Sequence, residues 1–103
     1  MPIARTLPLD NYVVDVLMQD LIGHDRSPAA FVVYLFLYAG AARDASADIQ
    51  ISHARLAEST GLSKSAVQTA VKHLVSRKLL KMTLATSTAV PAYAVLKPWT
   101  KRR

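Results

Sequence analysis

The chain has no cysteine among its 103 residues. Disulfides, zinc–thiolate centres and a thiol nucleophile are therefore excluded, and a reducing compartment suits it. Glycine is scarce at three residues, and neither a phosphate-cradling glycine loop nor a G-x-S-x-G elbow is present. No apolar run reaches the roughly 20 residues of a membrane span. The most apolar stretch, PAAFVVYLFLYAGAA at 28–42, has only 15, so no membrane partner is expected. The N-terminal MPIARTLPLDNY lacks the long apolar core and small-residue cleavage site of a signal peptide, and a cytoplasmic location is expected.

Acid is almost missing from the second half. Residues 1–50 carry three Lys or Arg (Arg5, Arg26, Arg43) against six Asp, a net of −3; residues 51–103 carry ten against Glu58 alone, a net of +9. One reading of these basic residues is that they merely solvate the surface of the second half. Here they coincide with a helix pair, which points to a polyanionic partner.

The pattern predicts one domain. A first helix spans 9–22, with Asp10 as N-cap, Leu9 stapled onto Val14 and Gly23 at the exit. Val13, Val16, Leu17 and Leu21 form its apolar stripe. Val14, Met18 and Ile22 widen that side, as ordinary core or as a surface for a second copy of the chain, core being favoured. Ser27-Pro28 opens a second, buried helix at 28–42 with Phe31, Tyr34, Leu35 and Tyr38 as its innermost seam. Residues 43–48, RDASAD, read as a loop, and Ile49 to Ile51 as a short strand.

Ser52 to Lys78 reads as two short helices, 52–60 and 63–78, joined by a turn at Gly61 with Leu62 plugging the corner. Ser52 caps the first. In the second, Val67, Ala70, Val71, Leu74 and Val75 are spaced to pack inward, leaving Lys64, Ser65, Gln68, Thr69 and Lys72 outward. That row is polar, basic and free of acid. It suits the major groove, which admits one helix and is read by side chains near the helix N-terminus. Beyond it the period changes to two: Leu80, Met82 and Leu84 alternate along one strand and residues 92–97 form another, giving a hairpin over 79–97 around TSTAVP at 86–91, then a basic tail at 98–103.

The string ISHARLAESTGLSKSAVQTAVKHLVSRKLL resembles the winged helix-turn-helix of bacterial regulators of the MarR and GntR types. A Leu-Ala pair, a Gly-Leu-Ser turn, a Val and a later Leu recur at these spacings. Residues 7–38 are similar to the N-terminal helices of winged-helix domains in plasmid and phage replication initiators. The resemblance implies a mainly α fold with a small β-hairpin wing, in the order α-α-β-α-α-β-β, and double-stranded DNA as partner. It departs from the usual pattern at Lys78, where relatives place Gly, and at the wing tip, which carries no Lys or Arg. Only Thr86, Ser87 and Thr88 remain there to meet phosphate.

Side-chain chemistry divides the expected roles. Gln68 pairs bidentately with adenine and Lys64 reaches guanine, with Ser65 and Thr69 donating to base edge or phosphate. Arg55, Lys72, His73, Arg77, Lys78 and Lys81 are the expected phosphate contacts. His24, His53 and His73 do not cluster in sequence and show no H-x-x-x-H pattern or carboxylate at ligand spacing, so no metal, no cofactor and no catalytic residue is expected. The expected function is sequence-specific duplex DNA binding by a transcriptional regulator occupying an operator as a homodimer. The alternatives are a winged-helix module that docks a protein, or the DNA-binding part of a plasmid or phage replication or maintenance system.

Overall fold

The structure, a computed structural model, describes residues 6–43 and 48–100. Most of the expected 43–48 loop and the basic residues Lys101, Arg102 and Arg103 lie outside the described residues. The fold is mainly helical, with a small three-stranded antiparallel sheet. No described helix is long and apolar enough to cross a membrane.

The N-terminal helix consists of two π-helical stretches, Val13–Leu17 and Gln19–His24. Its wider bonding runs from Met18 N to Val13 O and from Asp25 N to Asp20 O. Val13, Leu17 and Leu21 are buried, whereas Val14, Met18 and Ile22 are exposed. The latter three are therefore not core, and Val16 is also exposed.

Both ends of this helix differ from expectation. The Asp10 carboxylate does not cap it; it accepts from Trp99 Nε1 at 3.0 Å, and the Asp10 backbone N–H donates to Tyr38 OH at 3.1 Å. The helix runs past Gly23. Arg26, with φ of 57°, takes the left-handed conformation that ends it, and Ser27 N–H reaches back to Leu21 O at 2.8 Å.

Helix α1, Pro28–Arg43, follows at once. Ser27 Oγ accepts from Ala30 N–H, and Pro28 stands where a missing N–H costs nothing. Ala30, Phe31, Val33, Tyr34, Leu37 and Tyr38 are buried. Leu35, expected in the seam, is half-buried, and Leu37 is fully enclosed instead. α1 is the central element and touches the N-terminal helix, both later helices and the sheet.

Strands β1 (Ile49–Gln50), β2 (Leu80–Thr83) and β3 (Ala92–Val95) pair in the order β1-β3-β2. Leu80 lies opposite Val95 and Thr83 opposite Ala92, while Ile49 lies opposite Tyr93. A Cβ on Gly40 would meet Ile49 Cδ1 at 3.1 Å, so the missing side chain lets β1 lie close against α1. Leu80 and Tyr93 are buried; Met82 and Leu84, which alternate with the outward residues in sequence, are exposed. Leu84 lies beyond the end of β2. At the base of the hairpin Leu96 N–H donates to Leu79 O at 2.9 Å, and Tyr34 OH donates to Leu96 O at 2.8 Å. Burial pushes the Tyr34 phenol up, which keeps it a donor.

Candidate nucleic-acid interface

Two helices, α2 (His53–Thr60) and α3 (Lys64–Ser76), are joined by a three-residue turn, 61–63. Ser52 Oγ accepts from Arg55 N–H at 3.1 Å, and Ser63 Oγ accepts from Ala66 N–H at 3.1 Å. Each such cap is worth about 1 kcal/mol. Gly61, at φ of 81°, ends α2 by donating its N–H to Ala57 O. Thr60 Oγ1 donates to Leu56 O at 2.7 Å and tightens the same turn. Leu62 packs half-buried against the core between the helices.

α3 buries Val67, Ala70, Val71 and Leu74. Val75, expected inward, is exposed, because it falls on the flank beside Lys72 and Ser76. The outward row is as expected: Lys64, Ser65, Gln68, Thr69 and Lys72 are all exposed. A Gln amide, hydroxyls and lysine ammonium groups on one helical face offer both donors and acceptors to a groove.

The expected phosphate contacts separate into two groups. Arg55, Lys72, Lys78 and Lys81 are exposed. Arg55 lies 3.6 Å from Glu58 in a surface pair, a contact weak enough to exchange for another anion. His73 and Arg77 instead turn toward the N-terminal helix. His73 Nε2 bonds Asp25 Oδ2 at 2.7 Å, Arg77 Nε lies 3.1 Å from the same oxygen, and Arg77 Nη2 donates to Asp20. His24 Nδ1 bonds Asp25 Oδ1 at 2.8 Å.

Asp25 is thus the centre of an unforeseen cluster, its side chain only 7% exposed. Hydrogen bonds from His24 and then His73 hold its carboxyl below the ordinary value of 3.8, and the bond to Asp25 raises His24 above 6.5. Asp20, His24 and Asp25 place their ligand atoms within 4.8 Å of one another, so the expectation that no carboxylate lies at ligand spacing from a histidine is corrected. The Arg77 guanidinium already supplies positive charge at both carboxylates, which disfavours a cation there. Spacing held the signal: Asp20 and His24 are four apart on one helix, as are His73 and Arg77 on another.

α3 ends in a full Schellman arrangement. Lys78 N–H donates to Val75 O and Leu79 N–H to Leu74 O, both at 3.0 Å, with Lys78 at φ of 61°. The lysine adopts the left-handed turn that glycine ordinarily takes, at a cost of about 1–2 kcal/mol. Two buried polar atoms have no partner among the described residues, His53 Nε2 and Tyr93 OH. Burial, and then the Lys64 charge, lowers His53 below 6.5, which favours its neutral form at the first turn of α2. The hairpin tip, 86–91, is uncharged and largely exposed.

Comparison with protein-family models, with curated proteins and with solved structures returns no match.

Proposed function

We propose that the protein is a winged-helix binder of double-stranded DNA that reads the major groove with α3 and acts as a regulator by occupying its site. The observation that carries this reading is the exposed row Lys64, Ser65, Gln68, Thr69 and Lys72 on a helix capped by Ser63. The row contains no acid, and the second half of the chain has a net charge of +9. On this reading β2, β3 and the loop between them are the wing. Lys64 and Gln68 address base edges, with Ser65 and Thr69 beside them, while Arg55, Lys72, Lys78 and Lys81 address phosphate.

A single helix contacts few base pairs, which favours a homodimer on two half-sites. The exposed row Val14, Met18 and Ile22 supplies an apolar surface for the second copy. Sedimentation that finds only monomer, free and on DNA, removes the dimer.

The test of the main reading is a salt titration on mixed-sequence duplex DNA. Affinity falls steeply with salt when several phosphates are neutralised, the logarithmic slope being about −0.9 per phosphate. Absence of binding at low salt overturns the reading and leaves protein docking. Selection from a random duplex pool then separates an operator-binding protein from a sequence-blind one.

A further inference from the structure

Among the described residues, two that are not glycine have positive φ: Arg26 at 57° and Lys78 at 61°. Both are exposed cations, and each stands just past a helix end, where glycine or asparagine is the ordinary occupant. They also share one locality. Asp25, the neighbour of Arg26, is ion-paired at 3.1 Å with the Nε of Arg77, the neighbour of Lys78.

Attraction to helix C-termini accounts for basic residues in a last turn, a place that His24 and His73 already fill. It does not call for a strained backbone at the residue that follows. Strained residues persist only where the surrounding structure holds them, and they cluster at functional sites. Neither Arg26 nor Lys78 has an ion-pair partner among the described residues, whereas Arg77 between them is tied to Asp20 and Asp25.

The location fits a polyanion. The outward row of α3 runs through Gln68 and Lys72 toward the same end of the helix, and Asp25 docks on its flank at His73. Arg77 offsets one of the two carboxylates there, Asp20 and Asp25, and with Arg26 and Lys78 the three Lys or Arg charges of this locality exceed the two acids. The hairpin tip offers no cation of its own. We infer that Arg26 and Lys78 form a pair of phosphate contacts bracketing the C-terminal end of α3 on duplex DNA, in place of a charged wing tip; this rests on the DNA-binding reading above.

The test compares the full chain with Arg26→Gly, Lys78→Gly, the double variant and Arg26→Lys. Binding is measured on a labelled mixed-sequence duplex across a salt series, and folding by urea denaturation. Glycine relieves the left-handed strain, so each glycine variant keeps or raises the urea midpoint. The double variant nevertheless binds roughly tenfold more weakly at low salt, with a logarithmic salt slope shallower by about 1.8, which is two phosphates. Arg26→Lys retains the wild-type slope. Unchanged affinity and slope in the double variant overturn the pair while leaving α3 as a DNA reader. A lowered midpoint with an unchanged slope assigns both cations to the fold and overturns the pair equally. Wild-type protein that binds no duplex at low salt overturns this inference together with the reading on which it rests.

Discussion

Asp25 Oδ2 accepts a hydrogen bond from His73 Nε2 at 2.7 Å, across 48 positions of sequence. This bond joins the end of the N-terminal helix to the proposed reading helix, and Arg77 reinforces it one turn further on. Asp25→Asn keeps the shape and removes the charge. The expected loss is about 1–2 kcal/mol, typical of hydrogen bonds to a charged group with partly exposed partners. Urea denaturation measures it, and an unchanged midpoint would mean that water replaces the carboxylate freely.

The same cluster predicts a pH profile. Asp25, lowered from 3.8, contributes stability that is present above that value and lost as pH falls through its folded pKa. His24, raised from 6.5, contributes stability that is complete below 6.5 and lost as pH rises through its folded pKa. His53, lowered from 6.5, resists protonation in the fold, so its contribution weakens as pH drops below 6.5. The expected outcome is a decline in urea midpoint on the alkaline side of 6.5 that His24→Asn abolishes. Persistence of the decline in that variant would sink the assignment to His24.

Gly61 tests backbone strain in isolation. A Cβ there meets nothing within 4 Å, yet φ is 81°. Gly61→Ala is expected to cost about 1–2 kcal/mol from conformation alone. Thermal denaturation gives the size of the effect, and a neutral result would show that the turn between α2 and α3 relaxes out of the left-handed region.

Two substitutions on α3 separate reading from anchoring. Gln68→Ala is expected to relax preference at one base pair by about 1–3 kcal/mol. Lys72→Ala should weaken all sequences alike and flatten the salt slope. Binding to a panel of single-base variants of the selected site distinguishes them; equal, uniform weakening by both would place Gln68 off the groove.

Much of the fold was legible because its signals are short-range. Ser27-Pro28, Ser52, Ser63 and Gly61 each act on backbone groups within four residues, and each does in the structure what its chemistry implies. The outward row of α3 follows from period alone. The failures share a different cause. Asp10 reads as a helix cap, but its carboxylate binds Trp99 instead, and the partner of His73, expected to be phosphate, is Asp25 in the structure, which leaves the phosphate role untested. A carboxylate or imidazole accepts whichever partner tertiary packing brings, and that choice is invisible to local pattern. Val14, Met18 and Ile22 read as core or as a surface for a second copy, with core favoured; they are exposed, and apolar composition alone does not separate the two.

Trp99 lies flat on Tyr12, with ring centroids 4.6 Å apart and planes within 13°, while its indole holds Asp10. Those partners lie 89 positions apart, which matters on the ribosome. At roughly 5–20 residues per second, Asp10 waits about 4–18 s after its own synthesis before Trp99 is made. Throughout that interval Tyr12 lacks the indole it stacks on, and the hold on Asp10 is at most the Tyr38 hydroxyl at its backbone N–H. The Asp10 carboxylate and the Tyr12 ring are therefore covered by the indole only after residue 99 has been made.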